Sequence, residues 1–305
     1  MNNMNNNNAN ILIVILGETR ASELTYDNFK INVLDELKLK TDNNINSVDM
    51  AVCIGVKSDY DYNNPFYINS KYKFIYNESD NYDYAHAFDF ASDTIIQNKS
   101  QYNIKSDTNS NTNTNWRDFL KIKDQFMGGI KDKYHEHPGS AGILIFYRWF
   151  LLHSLMTNNL LDKYDYFIIT RSDFMYKLPH ITHIFNNNKN GCKNIYIPDG
   201  EHYGGVTDRH VILPKQYITH YLDILPNMIL RGDYYIQKMN INTGWNLEKL
   251  IKLHLQIHNI YEKIKFIPYI MYAVRNINGT TRWSSGTLAK LRLKSSTLSA
   301  GINNL

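Results

Sequence analysis

The sequence predicts an α/β fold with a mostly parallel central sheet flanked by helices. Two observations lead to this prediction. In the first half of the 305-residue chain, short apolar runs rich in β-branched residues alternate with segments of helical spacing, the pattern of parallel strands joined by helices. After residue 173 the candidate strands and helices become shorter, which indicates a mixed C-terminal half.

The elements of the first half follow from the spacing of apolar residues. Residues 11–17 form a continuous apolar run closed by glycine, which is typical of a buried parallel strand. Helical spacing over 24–39 predicts the first helix, and residues 50–55 and 73–76 are the next two strands. Residues 141–158 are apolar nearly all round, so we expect a buried helix there.

The second half contains further strands and two amphipathic helices. A strand at 166–170 stops shortly before Asp173, and residues 194–198, 211–213 and 266–272 are the remaining strand candidates. Helical spacing predicts helices at 215–227 and 247–259, the second with Asn246 as its N-cap.

Low-complexity segments divide the chain. We expect residues 1–10 to be a disordered, Asn-rich tail, because an Asn tract has too little apolar surface to bury. Residues 11–285 are expected to form a single domain with a flexible insertion at about 97–115, and residues 286–305 a C-terminal tail.

Composition excludes several classes of function. Hydrophobic residues make up 43% of the chain, which is typical of a globular protein, and the net charge is only +4 without a Lys/Arg block. Nucleic-acid binding is therefore not expected. Cys53 and Cys192 are too few for a disulfide framework or a thiolate zinc site. Without a signal-peptide pattern or a bilayer-spanning run, we expect a soluble, cytoplasmic protein with no membrane anchor.

The segment Arg171-Ser172-Asp173 is the strongest candidate for a site, because it follows the strand at 166–170. Ligands bind at the carboxyl ends of strands in open α/β sheets. A carboxylate there can hold a divalent cation, which in turn can hold a diphosphate. A literal Asp-x-Asp at Asp59 and Asp61 competes for this role but lies in a Tyr/Asn-rich loop. The short His-x-His at 135–137 has no third ligand nearby.

The end of the first strand offers Gly17 and Arg20. Glycine permits close approach of a ligand to the backbone, and arginine can pair with a diphosphate through two hydrogen bonds. The alternative is an ordinary turn with a solvated arginine. Neither a Gly-x-Gly-x-x-Gly nor a Walker pattern is present in the sequence, so dinucleotide and P-loop functions have no direct support.

A third candidate site, after Asp173 and the end of the first strand, combines Gly204 and Gly205 with Asp208. Paired glycines allow a sugar to approach, and the carboxylate could deprotonate an acceptor hydroxyl as a general base. Asp199 and Glu201 compete for the role of base, and the alternative is a Gly-Gly turn with a surface ion pair. Near the end of the domain, Glu248 is placed to interact with a helix dipole, and Arg275 could close over phosphates.

Taken in their order along the chain, these segments resemble a group of GT-A glycosyltransferase-like proteins of giant viruses, algae and bacteria. The segments that carry the resemblance are residues 13–20, 146–150, 164–174, 204–209, 246–248 and 274–275. The resemblance implies a GT-A-like (Rossmann-like) fold, a nucleotide-sugar donor and a Mn²⁺ or Mg²⁺ ion. Arg171 stands where the first acid of an Asp-x-Asp motif would be.

We therefore predict a glycosyltransferase that moves a sugar, of the hexosyl type, to a glycan or another hydroxyl acceptor, with metal assistance and inversion. The predicted site residues are Asp208 and Glu201 for catalysis, Gly17, Arg20, Arg171 and Arg275 for the donor, Gly204, Gly205 and Glu248 for the acceptor, and Asp173 for the metal. The main alternative is a catalytically degenerate protein of this fold that acts as a carbohydrate-binding or structural module. A sugar nucleotidyltransferase is disfavoured, because its Gly-rich signature loop is missing from the sequence.

Overall fold

The structure is a computed structural model that describes residues 9–39, 45–78, 84–102, 104, 115–117, 142–185, 193–239 and 245–274. Its strands are β1 (Ala9–Gly17), β2 (Ile45–Val56), β3 (Tyr72–Asn77), β4 (Tyr166–Thr170), β5 (Phe174–Tyr176), β6 (Ile195–Pro198), β7 (Val211–Pro214), β8 (Ile264–Ile267) and β9 (Met271–Ala273).

The α-helices within these ranges are α1 (Ser22–Phe29), α2 (Glu36–Leu39), α3 (Asp59–Asn63), α4 (Pro65–Asn69), α5 (Ala85–Gln97), α6 (Ile143–Thr157), α7 (Lys215–Leu222), α8 (Ile224–Leu230), α9 (Gly232–Lys238) and α10 (Leu247–Ile257). A π-helical stretch, Lys30–Asp35, joins α1 to α2. None of the described helices is both long and apolar enough to cross a bilayer.

Seven of the described strands form one sheet in the order β3-β2-β1-β4-β7-β6-β8. Strands β1 to β4 are mutually parallel, whereas β7 runs antiparallel to both β4 and β6. Strands β5 and β9 form a separate antiparallel pair. The α/β prediction is thus confirmed, with the antiparallel pairing confined to the C-terminal half as expected.

Both faces of this sheet are covered, because successive side chains of β1 point to opposite sides. Leu12, Val14 and Leu16 pack into a core with α5 and α6, while Ile11, Ile13 and Ile15 pack into a second core on the other face. Burial on both faces of the sheet is the reason that the first strand is a continuous apolar run. Since the faces are buried, the edge at the carboxyl ends of β1 to β4 is where polar side chains collect.

Most of the predicted elements are present, with shifted ends. Strand β1 begins at Ala9, so the last two residues of the expected tail belong to the strand. Strand β4 has the predicted bounds. Helix α5 extends into the start of the expected insertion, and Lys99–Tyr102 continue it as a 3-10 turn. The division into tails, insertion and one domain stays a prediction, since much of 97–115 and all of 275–305 lie outside the described residues.

Two predicted elements are divided in the structure. The expected helix 215–227 separates at Asp223 into α7 and α8, because Pro226 has no N–H to donate to the carbonyl four residues earlier. The expected strand 266–272 separates at Pro268 into β8 and β9, which belong to different sheets. Helix α5 had not been predicted at all.

Candidate functional site

The carboxyl ends of β1 and β4 bring two predicted segments together. The strands are parallel neighbours, with Ile15 opposite Thr170, so Glu18 to Arg20 lie beside Arg171 to Asp173. Ser172 joins the segments, because its hydroxyl donates to the carbonyl of Glu18 at 2.7 Å and lies 3.2 Å from that of Arg20. Ser172 is fully buried, and Gly17, with φ of 106°, makes the turn that leads out of β1.

The Asp173 carboxylate is engaged by Arg171. Nε and Nη2 of Arg171 donate to the two carboxylate oxygens at 2.9 and 2.7 Å, and Arg20 Nε lies 4.0 Å from Oδ2. Asp173 is 1% exposed. A divalent cation needs carboxylate oxygens that are free to bind it, so this arrangement does not fit a Mn²⁺ or Mg²⁺ ion. The metal role of Asp173 stays a prediction that the geometry does not favour.

An alternating series of charges continues from this pair across the neighbouring strand ends. Arg20 Nε lies 3.0 Å from Glu18 Oε2, Lys57 Nζ lies 3.4 Å from Glu18 Oε1, and the same Nζ lies 3.0 Å from Glu78 Oε2. Together with Arg171 and Asp173, these residues line the ends of β3, β2, β1 and β4. We call them the strand-end ion-pair series.

Glu78 ends this series inside the protein. Its carboxylate accepts hydrogen bonds from the hydroxyls of Tyr84 and Tyr147, and its side chain is fully buried. A Cβ on Gly55 in β2 would overlap the ends of the Glu78 and Tyr147 side chains, so a larger residue there would displace this buried carboxylate. Sequence analysis missed Lys57 and Glu78, although each directly follows a strand, which is the signal that identified Arg20 and Asp173.

The Arg20 guanidinium has a buried donor, Nη1, that makes no hydrogen bond to the described part of the chain. Its Nε is ion-paired with Glu18. A buried donor without a partner costs free energy, and an anionic ligand would supply that partner. This observation fits the predicted donor-binding role, which stays a prediction, as does that of Gly17. Arg275 lies outside the described residues.

The competing Asp-x-Asp has a structural explanation. Asp61 accepts hydrogen bonds from Thr19 Oγ1 at 2.8 Å and from the backbone N–H of Lys57 at 3.0 Å. It also completes a capping box with Ser58 at the start of α3. Asp59 is exposed on the same helix. The pair therefore shapes the loop after β2, and the His-x-His at 135–137 lies outside the described residues.

The loop after β6 docks on the first turn of α10. The N–H of Val206 donates to the carbonyl of Glu248 at 2.9 Å, and Asn246 caps α10 while its Nδ2 donates to the carbonyl of Tyr203. A Cβ on Gly205 would overlap the backbone of Glu248. The close approach that Gly205 permits is therefore to α10, and the predicted acceptor role of Gly204 and Gly205 stays untested.

We expect Gly205→Ala to lower the free energy of unfolding by at least about 3 kcal/mol, because overpacking against backbone atoms cannot be relieved by a side-chain rotation. Gly204→Ala is the matched control. Gly204 has φ of 83° and faces only the flexible side chain of Lys249, so its cost should be about 1–2 kcal/mol. Urea unfolding measures both variants, and equal losses would contradict the assigned role of Gly205.

Docking of this loop on α10 gathers three carboxylates. Arg209 forms an ion pair with Glu201, and the Tyr269 hydroxyl lies 3.4 Å from the same carboxylate. Burial, followed by the negative charges of Asp208 and Glu201, raises the pKa of Glu248 from its ordinary value of 4.5 to about 7. Such a carboxylate is suited to accept a proton near neutral pH.

The three carboxylates, those of Glu201, Asp208 and Glu248, lie near Arg171 of the strand-end ion-pair series. Burial alone would lower the pKa of Arg171, but the Asp173 carboxylate, with a smaller contribution from Asp208, raises it above the ordinary value. Asp208 is thus close enough to Arg171 to interact electrostatically. Of the predicted catalytic residues, Glu201 is already neutralised by Arg209, while Glu248, predicted to bind the acceptor, has the properties of a base.

No family model matches the sequence, and no curated protein matches it. Among solved structures, a crystal structure of mouse xyloside xylosyltransferase 1 in its apo form is similar with a TM-score of 0.37 and 9% identity, covering 85% of this chain and 84% of that chain. A similarity this low carries no argument about function.

Proposed function

We propose that the protein is a glycosyltransferase that uses a nucleotide-sugar donor. One observation carries the proposal: Arg171, at the end of β4 beside Arg20, is close enough to Asp208 to interact with it, and Glu248, next to Asp208, has a pKa of about 7. Guanidinium groups bind diphosphates, and a carboxylate with this pKa can take a hydroxyl proton. The sequence resemblance to GT-A glycosyltransferase-like proteins supports the same assignment.

In the proposed reaction, an acceptor hydroxyl attacks the anomeric carbon while the bond from that carbon to the diphosphate oxygen breaks. Glu248 receives the hydroxyl proton, with Asp208 beside it, and the nucleoside diphosphate leaves with its charge neutralised by Arg20 and Arg171. A base on the acceptor side is what a single displacement with inversion requires. The Asp173 carboxylate accepts two hydrogen bonds from the Arg171 guanidinium and so fixes its orientation.

Metal assistance is the part of the prediction that this geometry supports least. A cation on Asp173 would have to displace the Arg171 guanidinium, so we derive no step through it. We propose instead that the arginines supply the positive charge. Donor binding should then persist in EDTA and should not require Mn²⁺ or Mg²⁺.

Thermal shift with a panel of UDP- and GDP-sugars tests this proposal, because a ligand that binds only the folded state raises the melting temperature. We expect one donor to raise it equally with Mn²⁺ and with EDTA, and Arg20→Ala to abolish the shift. Arg117→Ala, which changes an arginine that pairs with Asp89 of α5 and with no member of the strand-end series, is the control. A shift that appears only with Mn²⁺ would restore the metal role of Asp173.

The second candidate is a carbohydrate-binding or structural module of the same fold. Arg171 at the position of the first acid, closed in an ion pair with Asp173, favours it. A module would bind glycans but no nucleotide sugar in the same panel, whereas a transferase would bind a donor and release its nucleoside diphosphate when the acceptor is added.

A further inference from the structure

A cluster of imidazoles and one carboxylate lies at the opposite end of α10 from Glu248. His220 and Asp223 stand at the end of α7, and His254 and His258 at the end of α10. Because α-helices rise about 1.5 Å per residue, His258 lies about 15 Å along the helix axis from Glu248. The cluster is therefore separate from the proposed active site.

Three of these side chains bring potential ligand atoms close together. The structure places one ligand atom from each of His220, Asp223 and His258 within 4.8 Å of the other two. The distances are 3.8 Å from His220 Nδ1 to Asp223 Oδ2 and 3.9 Å from His258 Nε2 to Asp223 Oδ1. Ligand atoms around a tetrahedral zinc ion are separated by about 3.3 Å, given bonds of about 2.0 Å, so small side-chain adjustments suffice.

His258 needs a partner that the described residues do not provide. Its Nε2 is buried and makes no hydrogen bond within the described part of the chain. The imidazole ring is held in place by the neighbouring rings of His220 and His254, with centroids 4.5 and 4.6 Å away. A buried, fixed and unpartnered imidazole nitrogen beside a carboxylate indicates a missing ligand.

The fourth residue, His254, orients the carboxylate rather than completing the set. Its Nδ1 lies 2.6 Å from the hydroxyl of Tyr235, and its Nε2 lies 2.9 Å from Asp223 Oδ1. If the tyrosine donates, the proton is on Nε2, which is then shared between the carbonyl of His220 at 2.7 Å and Asp223 Oδ1. This arrangement resembles the hydrogen bonds that position metal-binding carboxylates, and it leaves Oδ2 on the side of His220.

We propose that His220, Asp223 and His258 form a binding site for Zn²⁺ or a similar late first-row transition metal, which ties α7 to α10. Imidazole and carboxylate ligands suit these ions better than Mg²⁺. His220 is 47% exposed while Asp223 is buried, so the site opens to solvent on one side and leaves a coordination position for water. Its role is to brace the helix that carries Glu248.

Calorimetry with Zn²⁺ on the full chain without a histidine tag tests the site, with Co²⁺ absorption in the visible region as a report on coordination. We expect one equivalent to bind, the melting temperature to rise with Zn²⁺, and affinity to fall at least tenfold in His220→Ala and in His258→Ala. His86→Ala, an exposed histidine of α5, is the control.

If the more buried His258 variant fails to fold, His220→Ala still tests the site, because the His220 side chain is half exposed and its removal should leave the fold intact. Wild-type protein that binds no Zn²⁺, or that binds it equally well in His220→Ala, would overturn the proposal. Binding that is lost in His86→Ala would do the same, because the metal would then be held elsewhere. Asp173→Asn should leave Zn²⁺ binding unchanged.

Discussion

Replacing Arg171 with alanine is expected to lower the free energy of unfolding by about 3–5 kcal/mol. The substitution removes two hydrogen bonds from the Asp173 carboxylate, which is 1% exposed. Removing one partner of a buried ion pair leaves a desolvated charge, which costs more than the pair itself contributes. Urea unfolding at neutral pH measures the change.

The chain contains a matched control for this substitution. Arg117 also forms two hydrogen bonds to one carboxylate, that of Asp89, at 2.8 and 3.0 Å, but the Asp89 side chain is 47% exposed. Because surface pairs are worth little, Arg117→Ala should cost at most about 1 kcal/mol. Similar losses in both variants would mean that Asp173 is not buried as described.

The double variant Arg171→Met with Asp173→Leu separates charge from packing. Since it removes both charges, its loss should be much smaller than that of Arg171→Ala alone. It should nevertheless bind no donor, because the guanidinium is absent. Restored stability together with retained donor binding would contradict the proposed role of Arg171.

Replacing Glu248 with glutamine is expected to lower the turnover of sugar transfer by about 10²–10⁴-fold, the usual contribution of a general base. Donor binding should remain, because Glu248 lies on the acceptor side. For the wild type, transfer should rise with pH up to about 7 and then level off, since the base must be deprotonated. Transfer rates of purified protein between pH 5 and 9 measure both effects.

The same substitution should stabilise the protein above neutral pH. Glu248 has a folded-state pKa of about 7 and an ordinary value of 4.5, so the folded state holds its proton more tightly. Stability is therefore lost as pH rises from about 4.5 through 7. Glutamine carries no charge and avoids that loss, so Glu248→Gln should unfold at a higher temperature than wild type at pH 8 and at a similar one near pH 4.

Asp233→Asn is the control for both measurements, because Asp233 is also an acid in the first turn of a helix but is exposed. It should change neither turnover nor the pH dependence of unfolding. Full turnover in Glu248→Gln would move the role of base to Asp208, and a lower melting temperature at pH 8 would contradict the raised pKa.

Much of the fold was predictable because its signals are local. Continuous apolar runs identified β1 and β4, and the residues that follow them proved to lie together at one edge. The pairing of Arg171 with Asp173 also had a local signal, since residues two apart in extended chain share a side. Sequence analysis instead assigned Asp173 to a metal, because a carboxylate that follows a buried strand at the sheet edge can hold a divalent cation.

Other features depend on contacts between distant segments and had no such signal. The raised pKa of Glu248 requires the docked loop with Asp208 and Glu201, which lie about forty residues earlier in the sequence. That a nitrogen of His258 is buried without a hydrogen bond becomes apparent only once the fold places α7 beside α10. The spacing of His254 and His258 was visible in the sequence, but only the fold supplies Asp223 and His220.

The strand-end ion-pair series has a consequence for how fast an anionic ligand can arrive. Its three cations, Lys57, Arg20 and Arg171, are balanced by three carboxylates within 4.0 Å. Opposite charges this close cancel at a distance, so these six residues exert almost no long-range pull on an approaching anion. The series therefore adds little electrostatic steering of its own, so any dependence of the association rate constant on salt should come from charges outside these six residues.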